Sequence, residues 1–146
     1  MPNSPGYKRP ESVLVVVYTT AGEVLLLQRR QPADFWQSVT GSLEWNEAPR
    51  AAAERELREE TGLVVAVRDR RQSHTFSILP AWRARYAPGT AINREHVFTA
   101  CCRERPEIRL NPDEHRSYCW LPRAAAAARA SSRTNRDAIL AYVPTD

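Results

Sequence analysis

Three carboxylates crowd a short stretch of this sequence: Glu56, Glu59 and Glu60. At i, i+3 and i+4 they project from one face of a helix within about one turn. Like charges at this spacing destabilise an isolated helix by about 0.2–0.5 kcal/mol per pair. No basic residue is expected on the same face to relieve them, since Arg55 and Arg58 are read as pointing elsewhere. A bound cation would relieve the repulsion directly. An all-oxygen donor set suits a hard ion such as Mg²⁺ or Mn²⁺, which keeps some waters and takes phosphate oxygens as further ligands. The bland alternative is a solvated acidic face.

The helix that must carry these groups is clearly marked. Pro49 suits the first turn, where its missing N–H is not needed. Ala, Glu, Arg and Leu run from there to Thr61, and Gly62 ends the helix as a left-handed cap. Before it, Val13–Tyr18 and Val24–Gln28 read as strands around a turn at Ala21-Gly22, able to form a hairpin. Phe35–Thr40 reads as a short strand and Gly41–Glu47 as a loop. After the helix, strands are expected at Leu63–Val67, His74–Leu79, Ala81–Tyr86, Val97–Arg103 and Tyr118–Leu121, with a turn at Ala87-Pro88-Gly89. Helices are expected at Pro122–Ala130 and Asn135–Tyr142. Mixed strands and helices imply an α/β or α+β sandwich.

Bulk properties narrow the setting. With 146 residues, 42% hydrophobic and 26% charged, the chain fits a single domain over 1–146. No stretch approaches the roughly 20 apolar residues of a membrane span, and MPNSPGYKRP lacks the apolar run of a signal peptide, so a cytoplasmic setting is expected. Cys101, Cys102 and Cys119 form neither an even disulfide framework nor a CxxC pair and read as reduced, mostly buried side chains. The net charge of +4 is almost wholly arginine, Lys8 being the lone lysine among 21 basic residues. That surplus suits a phosphate-bearing small molecule, although a compositional bias toward arginine and alanine explains it equally. Basic residues are scattered rather than striped with aromatics, which argues against nucleic acid. His74, His96 and His115 have no ligand spacing and read as structural. The oligomeric state stays open.

Spacing over Gly41–Leu63 decides between the acidic face and the cation site. The segment GSLEWNEAPRAAAERELREETGL fits G-x5-E-x7-R-E-U-x-E-E-x-G-U, with U aliphatic, at Gly41, Glu47, Arg55, Glu56, Leu57, Glu59, Glu60, Gly62 and Leu63. In this it resembles the Nudix hydrolases. The resemblance implies an α/β/α sandwich with a mixed central sheet, in which the box forms a loop, a helix and a loop. It makes Glu56, Glu59 and Glu60 metal ligands, one of them serving as general base. Arg55 would pair with Glu47 to hold the loop, and Gly41 would let the backbone pass close to metal and phosphates. Many relatives have glycine where this chain has Asn46, the next most tolerant residue of a left-handed backbone.

Outside the box, YKRP at 7–10, LQRR at 27–30, DFWQSVTGS at 34–42, RYAPG at 85–89 and the later EH and YxWL resemble one subfamily. These are the bacterial pyrophosphatases of dihydroneopterin triphosphate in folate synthesis. Carried over by position, the resemblance implies that Lys8, Arg29 and Thr40 contact substrate. Phe76, Ser77, Ile78 and Leu79 would line the pterin pocket, Ser132 would approach the ligand from the C-terminal helices, and Glu114 would join the metal ligands. Read as residues alone, Lys8 and Arg29 are ordinary surface charges, Phe76 and Ile78 strand core, and Glu114 a strand cap. The expected reaction is Mg²⁺-dependent release of pyrophosphate from a small-molecule triphosphate. The alternatives are a house-cleaning hydrolase of oxidised nucleoside triphosphates or dinucleoside polyphosphates, and a silent nucleotide-sensing module.

Overall fold

Strand β1, Glu11–Thr19, is buried from Ser12 onward, which a strand achieves only where both faces of its sheet are covered. Its alternating side chains feed two separate cores. Val13, Val15 and Val17 enter one cluster with Leu25 and Leu27 of β2 (Glu23–Arg29). Leu14, Val16 and Tyr18 enter another with Val24 and Leu26. Helix α1, Pro49–Thr61, closes the first cluster with Ala52, Ala53 and Leu57. Helices α2, Arg123–Arg129, and α3, Arg133–Tyr142, close the second with Ala126, Ala127, Ala138 and Ile139. Each large aliphatic side chain so enclosed stabilises the fold by about 1.5–3 kcal/mol. The layers are α/β/α, as expected. The computed structural model describes residues 6–145; Met1–Pro5, part of the segment read above for a signal peptide and of the expected domain, and Asp146 lie outside them.

The described residues form a mixed seven-stranded sheet. β1 runs parallel to β6 (Ile92–Cys102) from Glu11↔Arg94 to Thr19↔Cys102, and β6 pairs antiparallel with the edge strand β5, Arg68–Ser77. β2 pairs antiparallel with β7, His115–Pro122. The expected hairpin of β1 and β2 exists only at its turn, where Tyr18 faces Val24. Beyond it the two strands separate. β4 (Val39–Ser42) lines the split on the β1 side and β3 (Trp36–Gln37) on the β2 side.

The segment read as one strand at Phe35–Thr40 is therefore two. Ser38 interrupts it because Asn135 of α3 accepts its backbone N–H at 2.7 Å and donates to its hydroxyl at 2.9 Å.

Two expected strands are overturned. Among the described residues Leu63–Val67 pairs with no strand and is irregular coil. Leu63 and Val67 are buried in the α1-side core and Val64 is exposed, so the apolar run reports packing without a ladder. Ala81–Tyr86 lies instead in a 3-10 helix, Pro80–Arg85, with Tyr86 as its C-cap. Pro80 opens this helix, and Trp82 N–H donates to Leu79 O at 2.8 Å. No helix among the described residues is long and apolar enough to cross a membrane.

Candidate active site

Helix α1 buries Ala52, Ala53, Leu57, Glu60 and Thr61. Counted by helical period, Glu60 occupies the core stripe defined by Ala53 and Leu57. It is 1% exposed, and its Oε1 has no hydrogen-bond partner among the described residues. Burial pushes its carboxyl well above the usual range. A hydrogen bond shared with Glu56 and the charges of Glu56 and Glu114 add to the shift, against a backbone hydrogen bond at Thr40. An uncompensated carboxylate in a core position is a costly arrangement. A divalent cation, which favours the ionised form, relieves it.

Gly41 explains how the backbone reaches this spot. A Cβ on residue 41 would collide with the Glu56 carboxylate, so glycine lets β4 pass this close without displacing that side chain. Around it the loop is locked. Arg55 Nε and Nη2 each donate to Glu47 at 2.8 Å, and Nη2 also reaches Ser42 O at 3.1 Å. These bonds hold the Glu47 carboxyl below its ordinary value and the Arg55 guanidinium above its own. Glu47 in turn accepts the N–H of Glu44 at 2.9 Å. From outside, Arg9 Nη1 donates to the carbonyls of Glu44 and Glu47 at 3.0 and 2.9 Å. Asn46 has φ 71°, the left-handed conformation asked of it. Gly62 has φ 78° and donates its N–H to Arg58 O.

The expectation that Arg55 points away from the glutamates is wrong. Its Nη1 donates to Glu56 at 2.7 Å and to Glu59 at 3.2 Å, because a side chain adjacent in sequence curls around the helix once Glu47 draws it in. Glu56 and Glu59 are thus turned onto a guanidinium. Among the described residues no three acidic, cysteine or histidine side chains already converge as a metal cage. Glu59 is the most open of the three, half exposed beside the nearly closed Glu56 and Glu60.

Glu114 immediately precedes β7, in a turn anchored on Asn111, and its carbonyl accepts Arg30 N–H at 2.8 Å. Burial raises its carboxyl, as do Glu56 and Glu59, while Arg29 and Lys8 oppose. The same charges act in return on Lys8. Burial lowers its pKa first, then Arg85 and Arg29 repel it, and Glu56 and Glu114 pull the other way. A basic group of Lys8, Arg29 and Arg85 therefore stands against an acidic group of Glu56, Glu60 and Glu114. That is the charge pattern of a site that grips phosphates on one side and a cation on the other.

Two members of this arrangement went unassigned in the sequence. Arg85 ends the 3-10 helix, and its carbonyl accepts the N–H of Lys8 at 2.8 Å. The only signal for it was its place in RYAPG. His115, read as structural, is buried with Nε2 3.9 Å from Glu60 Oε1 and 3.4 Å from Gln37 Nε2. Burial, helped by Arg29, lowers its pKa to about 4, so at neutral pH this contact is not an ion pair. His74 and His96 lie away from this cluster, on Glu95 and Glu11.

Other expected contacts are placed less directly. Thr40 sits at the split, its hydroxyl donating to Val13 O at 2.9 Å. Phe76 and Ser77 end β5, Ile78 is buried, and Leu79 caps the 3-10 helix that carries Arg85. Ser132 caps α3 by accepting Asn135 N–H at 3.1 Å; its hydrogen bonds go to that helix and not to the glutamates.

Residues 8–142 match the NUDIX domain. The chain belongs to the Nudix family. The dihydroneopterin triphosphate diphosphatase of Escherichia coli K12 is 43% identical over 143 residues, covering 94% of each chain. Its Haemophilus influenzae counterpart is 40% identical, covering 94% of this chain and 89% of that protein. The solved structure of the E. coli dihydroneopterin triphosphate pyrophosphohydrolase superposes with a TM-score of 0.88 at 42% identity, over 94% of this chain and 97% of that one. This is a Nudix hydrolase, and Nudix hydrolases work with a divalent metal. The acidic group fits one: the unpartnered Oε1 of Glu60 and the close pass of Gly41 are what such an ion would use.

Proposed function

We propose that this chain is a Mg²⁺-dependent enzyme that cleaves dihydroneopterin triphosphate to its monophosphate and pyrophosphate, in cytoplasmic folate synthesis. The observation that carries the chemistry is Glu60, a carboxylate in a core position, unpartnered at Oε1 and facing Glu56 and Glu114 across from Lys8, Arg29 and Arg85. The substrate comes from the similarity, along nearly the full chain, to enzymes named for it.

Glu56, Glu60 and Glu114 would hold the ion, with Glu59 as a further ligand at the open rim. When bound, Mg²⁺ supplies Lewis acidity, neutralising phosphate charge and acidifying water. Lys8 and Arg29 bind the triphosphate and orient it, and Arg85 adds charge to the same wall. Water adds to phosphorus at the bridge between the α- and β-phosphates. That P–O bond breaks, pyrophosphate leaves, and the water proton passes to a glutamate of α1. Arg55 and Glu47 keep the loop in place throughout and touch no reacting atom. Thr40, Phe76–Leu79 and Ser132 are proposed as contacts to the rest of the substrate. No nucleic-acid or membrane partner enters this reading.

The test is a product assay over dihydroneopterin triphosphate, common and oxidised nucleoside triphosphates and dinucleoside polyphosphates, with and without chelator. Pyrophosphate released fastest from the pterin, and only with metal, is the expected result. Faster turnover of an oxidised nucleotide would reassign the substrate. Binding without turnover in Mg²⁺ would overturn the enzymatic reading.

A further inference from the structure

Arg29 leaves β2 directly opposite His115 of β7, and cross-strand partners share a face of the sheet. His115 faces Glu60, so Arg29 lies on the α1 side with the glutamates. Among the described residues its guanidinium ends on no carboxylate. It lies over the Trp82 ring, 5.2 Å from the centroid, and donates to Gln31 O at 3.1 Å. Phe35 meets the same indole edge-on, with centroids 6.1 Å apart and planes at 68°.

Two segments distant in sequence, Arg29 with Phe35 and the turn bearing Trp82, thus build one aromatic shelf against the basic wall. Each part is fixed by backbone bonds: Arg29 N–H donates to Phe35 O, and Trp82 N–H to Leu79 O. Arg83 Nε braces the same turn by donating to Ile78 O at 3.0 Å. Yet neither Phe35 nor Trp82 packs into either core cluster, and both stay half-buried. Aromatic rings bury large areas and normally go where that area counts. Held rigid at the rim of a phosphate site, they offer a π-face to a flat ligand, and such stacking tolerates different ring systems. The stretch expected to line the ring pocket leads into this shelf. Ile78 is enclosed, whereas Leu79, 50% exposed, sits directly under the turn that bears Trp82.

We propose that Trp82, braced by Phe35, is the stacking platform for the planar bicyclic heterocycle of the substrate, with Arg29 shared between that ring and the triphosphate. This rests on the reading of the glutamate cluster as a triphosphate site, and it adds the element that selects a ring-bearing triphosphate over a bare one.

The experiment compares the parent chain with W82A and W82F on dihydroneopterin triphosphate, guanosine triphosphate and inorganic tripolyphosphate. Calorimetric affinities are measured in chelator, where no turnover occurs, and KM and kcat in Mg²⁺. W82A is expected to weaken binding and raise KM for both ring-bearing ligands about tenfold. Its kcat should stay within about twofold and its tripolyphosphate affinity should not change, while W82F should recover most of the loss. Three results overturn the proposal: parent affinities no tighter for ring-bearing ligands than for tripolyphosphate; W82A affinities within twofold of the parent; or an equal loss on tripolyphosphate. The substrate reading fails separately, if the parent binds the pterin but turns over guanosine triphosphate faster.

Discussion

Glu47 and Glu60 belong to the same motif, and their surroundings are opposite. Glu47 is met by two guanidinium nitrogens and a backbone N–H, and its carboxyl titrates below the ordinary value. Glu60 sits on the core stripe of α1 with one oxygen unpartnered, and burial drives its carboxyl far upward. The first arrangement is complete in the protein by itself and holds a loop. The second is incomplete, and a group left in that condition is where a charged ligand contributes most. Sequence type does not separate the two; the partners do.

The comparison can be broken from either side. Arg55→Ala removes the partner of Glu47 and leaves nearly buried carboxylates unpaired, so the protein should lose roughly 3 kcal/mol of stability, read by denaturant unfolding. A loss under about 1 kcal/mol would show that the lock is incidental. Glu60→Gln acts the other way. Pyrophosphate release at saturating Mg²⁺ should fall at least about tenfold, while in chelator the variant should melt higher than the parent near pH 8. The sign follows from linkage: a carboxyl raised in the folded state binds more protons there than in the unfolded chain, so stability falls as pH climbs through the raised value. A glutamine carries no such charge. Unchanged activity would remove Glu60 from the metal site.

Gly41→Ala sharpens the comparison within the site. The new methyl meets the flexible end of Glu56 and not backbone, so activity should drop about fivefold with stability changed by only about 1 kcal/mol. Equal activity would mean that Glu56 has room to spare. The smallest effect is acidic. Glu47, lowered by Arg55, contributes stability that is full above its unfolded pKa and lost as pH falls through the depressed folded value. The melting temperature of the parent should therefore fall on acidification below about pH 4.5, and Arg55→Ala should flatten that limb. Parallel acid limbs in the two proteins would break the assignment.

Much of the site could be read in one dimension because α1 is set by local rules. Pro49 opens it, Gly62 closes it at φ 78°, and the expected and observed bounds coincide. Strand β5 was legible only at its end, His74 onward. Its RDRRQSHTFS run has no apolar alternation, because an edge strand with largely exposed side chains needs none and charge there guards against stray pairing. Leu63–Val67 misled for the converse reason, having the apolar run of a buried strand without a neighbour to bond.

The order and type of residues in Gly41–Leu63 determined the helix, its caps and the chemistry class, since those depend on contacts within a few residues. Only the folded chain decided that Arg55 would embrace Glu56, that Glu60 would be left unpartnered beside His115, and that Arg29, Phe35 and Trp82 would meet. Arg55 turns onto its neighbour Glu56 because Glu47 draws it in. Glu60 beside His115 and Trp82 against Arg29 and Phe35 are encounters between segments far apart in the chain, fixed by the splitting of β1 from β2 and the return of the 3-10 helix to Lys8. No local propensity encodes such distances, because they come from how the layers close over two cores.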